Sequence, residues 1–554
     1  MIVQIVGAVL LLGILIFVHE LGHFLAMKAF GVKVLKFSLG FGRPLPGMHF
    51  KRGETEYQVG WLPIGGFVKA LGEDPDDVVD VGEQGRALRE VSRWKQIIIY
   101  AAGPVFNLIL PLLVFFLVYL GIDQRAGSFI GEVFMDSPAA AAGFEIGDRI
   151  TAVDGHPVRY WEDLQDRIQA GGEVEKKFTV ERDGRTLELL VGPARRELTD
   201  RFGDKHVMYQ IGISKMFRPA ILGVEDPASP AHVAGLRTGD RVLEADGEPV
   251  ERFHQLGRML EAARDRPVVL KVARLPFPRY ELEPDAERPE PDSLSMTLPA
   301  AVEGGDALRG IRSGDLFIGR VKEDGIAAQA GIQPGDRIVE VQDKAVPAWD
   351  DFAQVANQVA QEGQPVNLVL SRIGEGIELS LSITGKSEEN ELGRKVKVYE
   401  VGAYSLFHNE RRPSVMVPNQ ERLGFAVYKA WFESWGFVEL TVRGIWKMIT
   451  GEISTKGLGG PIMIFQVAAR AAEAGLAPWL RILGLISIAL GLLNLIIPIP
   501  ILDSGQILIL LIESARRKPV SDRVREYANL VGFSLLILLM VLATWNDVAR
   551  IFAG

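Results

Sequence analysis

The sequence predicts a polytopic α-helical membrane protein with four transmembrane helices and three inserted α+β modules. Three observations predict it: four uncharged apolar stretches, a threefold internal repeat between the second and third of them, and the segregation of apolar from charged residues. Of 554 residues, 48% are hydrophobic and 24% charged. The mean hydropathy is nevertheless positive, at +0.15, so the two kinds of residue occupy different parts of the chain.

The apolar stretches are 2–18, 97–122, 482–502 and 528–545, each near or above the length that crosses about 30 Å of hydrocarbon. No Lys or Arg precedes the first, and no small-residue cleavage site follows it, so a removed signal peptide is not expected. Lys28, Lys33, Arg43, Lys51, Arg52, Arg86, Arg89 and Arg93 lie between the first two stretches, and Arg516, Arg517, Lys518, Arg523 and Arg525 between the last two. By the positive-inside tendency both loops are cytoplasmic, which puts both termini and the long segment after 123 outside. The chain has no cysteine, so any metal must use His, Asp or Glu. A net charge of −9 argues against a nucleic-acid partner.

The long outer segment repeats itself. Phe129-Ile130-Gly131, Pro138, Gly143 and Gly147-Asp148-Arg149 recur as Ile221-Leu222-Gly223, Pro230, Gly235 and Gly239-Asp240-Arg241. They recur again as Phe317-Ile318-Gly319, Ile326, Gly331 and Gly335-Asp336-Arg337. Modules of about 90 residues follow. Strand-like runs such as Val366-Asn367-Leu368-Val369-Leu370 alternate with turns and one short helix-like stretch in each. The pattern resembles PDZ domains of the kind attached to bacterial proteases, more closely in the first two copies than in the third, where Gln342-Asp343 replaces Asp154-Gly155 and Asp246-Gly247. That resemblance implies capture of peptide C-termini through the loops at Ile130, Gly131, Leu222, Gly223, Ile318 and Gly319. Modules that act only as bulky spacers are the alternative. Residues 275–295 read as an acidic, proline-rich insertion in the second module. Residues 423–448, with Phe425, Trp431, Trp435 and Trp446 among charges, read as an amphipathic helix lying against the bilayer, although a buried soluble helix has a similar pattern.

The chemistry sits at the end of the first apolar stretch, in His19-Glu20-Leu21-Gly22-His23. Helical positions four apart share a face, so both imidazoles reach one ion with Glu20 alongside. Ionisable groups in a spanning helix cost about 2.5 to 3.5 kcal/mol each on insertion scales and demand a compensating partner. Zinc best satisfies these residue types; the plainer reading is two histidines hydrogen-bonded inside a bundle. A catalytic zinc takes three protein ligands. Asp503 is the only carboxylate at the cytoplasmic end of the third stretch, following Pro498-Ile499-Pro500-Ile501-Leu502. An aspartate that merely caps a helix is the competing reading of that residue. The inferred orientation favours a ligand, because His19, His23 and Asp503 all fall near one leaflet.

With Ala102-Gly103-Pro104-Val105-Phe106-Asn107 and Leu458-Gly459-Gly460-Pro461-Ile462, these motifs resemble the site-2 protease family of intramembrane zinc metalloproteases along essentially the whole chain. The family usually carries Leu-Asp-Gly-Gly-His, where this chain reads Leu502-Asp503-Ser504-Gly505-Gln506, and its members commonly have two PDZ domains. The resemblance implies one Zn2+ per chain held by His19, His23 and Asp503, with Glu20 as general base. It implies a membrane re-entrant β-hairpin over 56–70 whose Gly65, Gly66 and Phe67 pair with an unwound substrate. Asn107 and Asn494 would bind the substrate backbone, or else form interhelical hydrogen bonds of about 0.6 kcal/mol. The expected partners are single-pass membrane proteins, of the anti-sigma-factor or remnant signal-peptide type, in a stress response at the bacterial inner membrane.

Two other classes compete. A PDZ-bearing scaffold with a structural metal site would keep its function without Glu20. A zinc transporter would carry ionisable residues along the second and fourth spans, and 97–122 and 528–545 have none. The expected boundaries are 1–30 for the first span, 31–94 for the hairpin region and 95–122 for the second span. The three PDZ-like α+β domains are expected at 123–215, 216–303 and 304–386. The linker and interfacial helix then cover 387–476, the third span 477–503, and the basic loop with the fourth span 504–554.

Overall fold

A computed structural model of the chain describes residues 2–73, 79–134, 136–200, 204–274, 292–302, 304–389, 395–407, 412–453 and 459–553. Most of the proline-rich insertion, together with His408 and Leu458, lies outside the described residues. The chain forms two compact units, one from Met1–Asp123 and Asn419–Gly554, the other from Gln124–Glu389 and Lys395–Pro418.

The first unit is a helix bundle. Helices α1 (Ile2–Ala29), α2 (Arg93–Leu120), α3 (Arg422–Ile449), α4 (Pro461–Ala474), α5 (Leu476–Ile496), α6 (Asp503–Arg516) and α7 (Asp522–Ala553) follow in order. Four of them, α1, α2, α5 and α7, are long and apolar enough to cross a membrane. Ala8, Leu11 and Leu15 of α1 pack with Val114 and Phe115 of α2 and with Leu483, Ile488 and Leu492 of α5. Close approach of α1 and α2 depends on Gly22, where a Cβ would lie 2.4 Å from the Ala102 carbonyl oxygen.

The third span ends earlier than expected. Helix α5 stops at Ile496, and Asp503 opens a new helix instead of closing the old one. Pro498 and Pro500 supply no N–H, and each disfavours helical backbone in the residue before it, so the chain turns across 497–502. Helix α4, hidden within the expected linker, starts where Pro461 follows Gly460, and Asp547 of α7 accepts from the Gly460 and Met463 N–H groups.

Between α1 and α2 lie β1 (Val34–Arg52) and β2 (Thr55–Ala70). Residues 56–70 are not a hairpin by themselves. Residues 36–39 pair with 56–59 on one side and with 66–69 on the other, while 49–52 closes onto 55–58. The first half of β1 is therefore central, and 66–69 forms an outer strand.

The second unit holds three four-stranded sheets of one design. Their strand orders are His156–Pro157, Arg149–Val153, Lys176–Arg182, Arg185–Val191; then Glu248–Pro249, Arg241–Ala245, Val268–Arg274, Asp292–Leu298; then Lys344–Ala345, Arg337–Val341, Val366–Arg372, Glu375–Leu381. One helix packs on each core, Trp161–Gln169, Phe253–Ala262 or Trp349–Gln361. The repeated Gly-Asp-Arg aspartate is buried in every copy by a two-pronged arginine. Arg182, Arg274 and Arg372 each donate from Nε and a terminal nitrogen to Asp148, Asp240 and Asp336 at 2.6–2.8 Å. Gln342 and Asp343 take the same left-handed backbone as Asp154-Gly155, so the third module keeps the turn without its glycine.

Each module closes with a short strand from far along the chain. Ile213–Ser214 pairs with Glu132–Val133, Ile311–Ser313 with Leu222–Val224, and Ala403–Ser405 with Ile318–Val321. The second module therefore runs past 303 to Ser313 and the third past 386 to Ser405. The closing strands are two or three residues long, too short to carry a periodic signal.

Candidate metal centre

Helix α1 presents His19 and His23 one turn apart, with their Nε2 atoms 3.3 Å from each other. Asp503, first residue of α6, sits across from them, with Oδ2 3.2 Å from His19 Nε2 and Oδ1 3.5 Å from His23 Nε2. Among the described residues this is the one group of three or more His, Cys, Asp or Glu whose ligand atoms gather closely enough to hold a metal. A tetrahedral zinc with bonds of about 2.0–2.1 Å separates its ligand atoms by roughly 3.3 Å, and the separations found here, 3.2–3.5 Å, are of that size.

Helix α2 sets the rings. His23 Nδ1 donates to the Ile99 carbonyl at 2.8 Å, which leaves the Nε2 lone pair to face the cation position. One turn on, Gly103 leaves room for that ring, and a further turn on the Asn107 amide lies 3.3 Å from His19 Nδ1. Asn107 is buried, 1% exposed, with its side chain turned to a histidine of α1. Of the two expectations for Asn107, this contact between helices is the interhelical one. Asn494 is half-buried in the last turn of α5.

Glu20 lies beside the outer strand of the sheet. A Cβ on Gly66 would come within 3.2 Å of Glu20 Cγ. Gly65 has φ +85°, with the Phe41 ring where its Cβ would stand, and Phe67 stacks on Phe41 with ring centroids 6.0 Å apart. The outer strand pairs on its 36–39 side. Gly66 is therefore next to the general-base candidate, with Gly65 and Phe67 beside it in the chain and against Phe41.

In the module loops four backbone donors are already paired. The Ile130, Leu222 and Ile318 N–H groups donate to the carbonyls of Asp148, Asp240 and Asp336, and that of Gly131 to Ser214, all at 2.7–2.8 Å. Gly131, Gly223 and Gly319 are covered by Met216 and Phe217, by Phe317, and by Leu406. These loops offer no free donors at those four positions for a terminal carboxylate. Sequence reasoning missed the glycines that do adopt a left-handed turn before each closing strand: Gly212, Gly310 and Gly402, at φ +83°, +86° and +79°. The signal was present as Ile211-Gly212-Ile213, Arg309-Gly310-Ile311 and Val401-Gly402-Ala403.

Two histidines one turn apart with a glutamate between them and an aspartate facing them, in a unit that holds four membrane-length helices, fit a zinc metalloprotease of the site-2, intramembrane type. The sequence profile of Peptidase family M50 matches residues 7–539, and the chain belongs to that family. It is similar to the regulator of sigma-E protease RseP of Escherichia coli (strain K12), 28% identical over 547 residues that cover 98% of this chain and 97% of the other. Protease RseP of Yersinia pestis is 28% identical over 547 residues with the same coverage. A Neisseria meningitidis protein bearing the name of a zinc metalloprotease is 28% identical over 545 residues, 97% of each chain. Of solved structures, the PDZ domain of an SdrC-like protein from Listeria monocytogenes matches 16% of this chain and 87% of its own at 22% identity and a TM-score of 0.14, a likeness too faint to define the modules.

Proposed function

We propose that the chain is an endopeptidase that cuts the transmembrane segments of single-pass membrane proteins in regulated intramembrane proteolysis. One zinc ion per chain is held by His19, His23 and Asp503. The observation that carries this reading is the convergence of the two imidazole Nε2 atoms, 3.3 Å apart, on the Asp503 carboxylate, whose Oδ2 lies 3.2 Å from His19 and whose Oδ1 lies 3.5 Å from His23, with Glu20 alongside. When bound there, zinc polarises a carbonyl as a Lewis acid and activates water. Glu20 accepts the proton of the attacking water at its carboxylate and delivers it to the leaving amine.

A helical peptide bond is closed to a nucleophile because its own N–H and C=O are paired within the helix. The substrate therefore unwinds and adds as a further strand along 66–69, beside Glu20. Gly65 and Gly66 keep that edge clear, Phe67 is anchored on Phe41, and half-buried Asn494 binds substrate backbone. The sheet enters the membrane from the cytoplasmic side, and both termini and the repeated modules are extracytoplasmic, at the bacterial inner membrane. The three modules act as PDZ domains that filter substrates by size or sense a new C-terminus. Substrates of the anti-sigma-factor or remnant signal-peptide type follow from the kinship with sigma-E proteases. The aromatic face of α3, with Trp431, Trp435 and Trp446 all more than half exposed, rests in the lipid interface.

The test is cleavage of a model transmembrane substrate by purified protein, with zinc content measured in parallel. Glu20→Gln should keep zinc and lose cleavage, and Asp503→Ala should lose both. Cleavage surviving Glu20→Gln would overturn the mechanism, and function without cleavage would leave the scaffold reading.

A further inference from the structure

The motif Ala102-Gly103-Pro104-Val105-Phe106-Asn107 has, beyond room for the His23 ring, a second task on the same face of α2. Ile99, Gly103 and Asn107 are spaced four apart and meet His23, His23 and His19 in turn. The Asn107 backbone is itself fixed, since Ser487 of α5 donates its hydroxyl to the Asn107 carbonyl at 2.7 Å. Its side chain is the unusual part: Oδ1 is buried and has no hydrogen-bond partner, while Nδ2 is the atom nearer His19 Nδ1.

A neutral imidazole carries one hydrogen. With Nε2 as a ligand atom that hydrogen is on Nδ1, which is then a donor and needs an acceptor. A half-turn of the Asn107 amide exchanges its nitrogen for its oxygen. One movement then gives His19 Nδ1–H an acceptor and gives Oδ1 the donor it lacks, and a buried carbonyl oxygen left alone costs about 1–3 kcal/mol.

We infer that Asn107 is a positioning residue: its amide oxygen accepts from His19 Nδ1 and holds that ring in the tautomer whose Nε2 can ligate. Ile99 does the same for His23 with a backbone carbonyl, so α2 supplies the outer partner of both histidines. The inference rests on the reading of His19 as a metal ligand. It gives Asn107 a part in metal retention and none in substrate contact.

The experiment is a zinc competition titration against a chelator, on full-length protein in detergent, for the wild type, Asn107→Leu and Asn107→Asp, with thermal unfolding as the control for folding. Leucine fills a similar volume and accepts nothing, so Asn107→Leu should bind zinc about 10–100-fold more weakly, the usual cost of removing an outer partner. Aspartate offers an oxygen in the same place and should stay within threefold of the wild type. Equal zinc affinity in folded Asn107→Leu and the wild type overturns the inference. So does a tenfold loss in folded Asn107→Asp, and this arm decides the matter if the leucine variant does not fold. Wild-type protein that binds no zinc would instead bring down the metal-centre reading and this inference with it.

Discussion

Gly103 of α2 and His23 of α1 are in direct contact: a Cβ at 103 would stand 2.3 Å from His23 Nε2. Helix propensity alone favours alanine over glycine by about 1 kcal/mol, so any loss in Gly103→Ala comes from the collision. The displaced ring should bind zinc at least about tenfold more weakly, as expected when a ligand's support is disturbed. Zinc content after dialysis, with unfolding temperature as control, checks this; full zinc retention would show that the ring can step aside.

Gly66 should separate catalysis from metal binding. A Cβ there would meet Ile16 Cγ2 at 2.7 Å, the Ser38 carbonyl oxygen at 3.0 Å and Glu20 Cγ at 3.2 Å, yet no metal ligand. Gly66→Ala is expected to lower kcat by up to about 100-fold, the scale of a catalytic group misplaced by about 1 Å, while zinc content stays at the wild-type level. Loss of zinc in this variant would mean that the outer strand supports the metal site and does more than flank Glu20.

The His-Glu-x-x-His pair could be read from the sequence because a helix fixes the geometry of residues four apart. Asp503 could be read because apolar surroundings leave few other carboxylates. The four spans fall on the four apolar stretches, with ends moved by prolines and caps. What could not be read depends on docking between distant segments. Asn107 faces His19 only once α1 and α2 cross at Gly22, an arrangement no local pattern encodes. Residues 36–39 pair on both sides because the chain bends between 59 and 66, where period-two alternation gives no partner. The closing strands of the modules find partners 80 or more residues away, as Ser214 finds Glu132, and a two-residue strand has no pattern to announce it.

Ser504 and Gln506 hold the turn that delivers Asp503. The Ser504 hydroxyl donates to the Ile497 carbonyl, and Gln506 Nε2 donates to the Pro500 carbonyl at 2.6 Å. Gly505 lets the turn lie against α6, since its Cβ would be 2.2 Å from the Ile499 carbonyl oxygen. Ser504→Ala or Gln506→Leu alone should cost about 0.5–1.5 kcal/mol by removing one hydrogen bond, seen as earlier unfolding and a modest zinc loss; the Ile497 carbonyl keeps the Ile499 N–H as a partner in the first case. Gly505→Ala should be worse than either, because the obstacle is backbone. If Gly505→Ala matched the wild type in zinc content, the turn would be more pliant than this packing allows.

In the second unit two buried carboxylates share two arginines. Arg218 reaches Glu132 at 3.1 Å and Asp315 at 3.6 Å, and Arg412 reaches them at 3.7 and 3.9 Å and Asp350 at 2.7 Å. The Trp349 N–H also donates to Asp315, at 2.9 Å. Burial nevertheless dominates and holds both carboxyls above their ordinary values. The folded unit therefore binds protons more tightly than the unfolded chain. Stability from these groups is present at low pH and is lost as pH rises from the unfolded values, 4.5 for Glu132 and 3.8 for Asp315, through the raised folded ones. Glutamine mimics the protonated acid, so Glu132→Gln should match the wild type near pH 4.5 and gain on it towards pH 7. Hydrogen exchange of amides in 124–389 of the full chain, compared at the two pH values, reads this directly. A variant that loses more protection at pH 7 than at pH 4.5 would show that the Arg218 and Arg412 pairs outweigh the burial of Glu132.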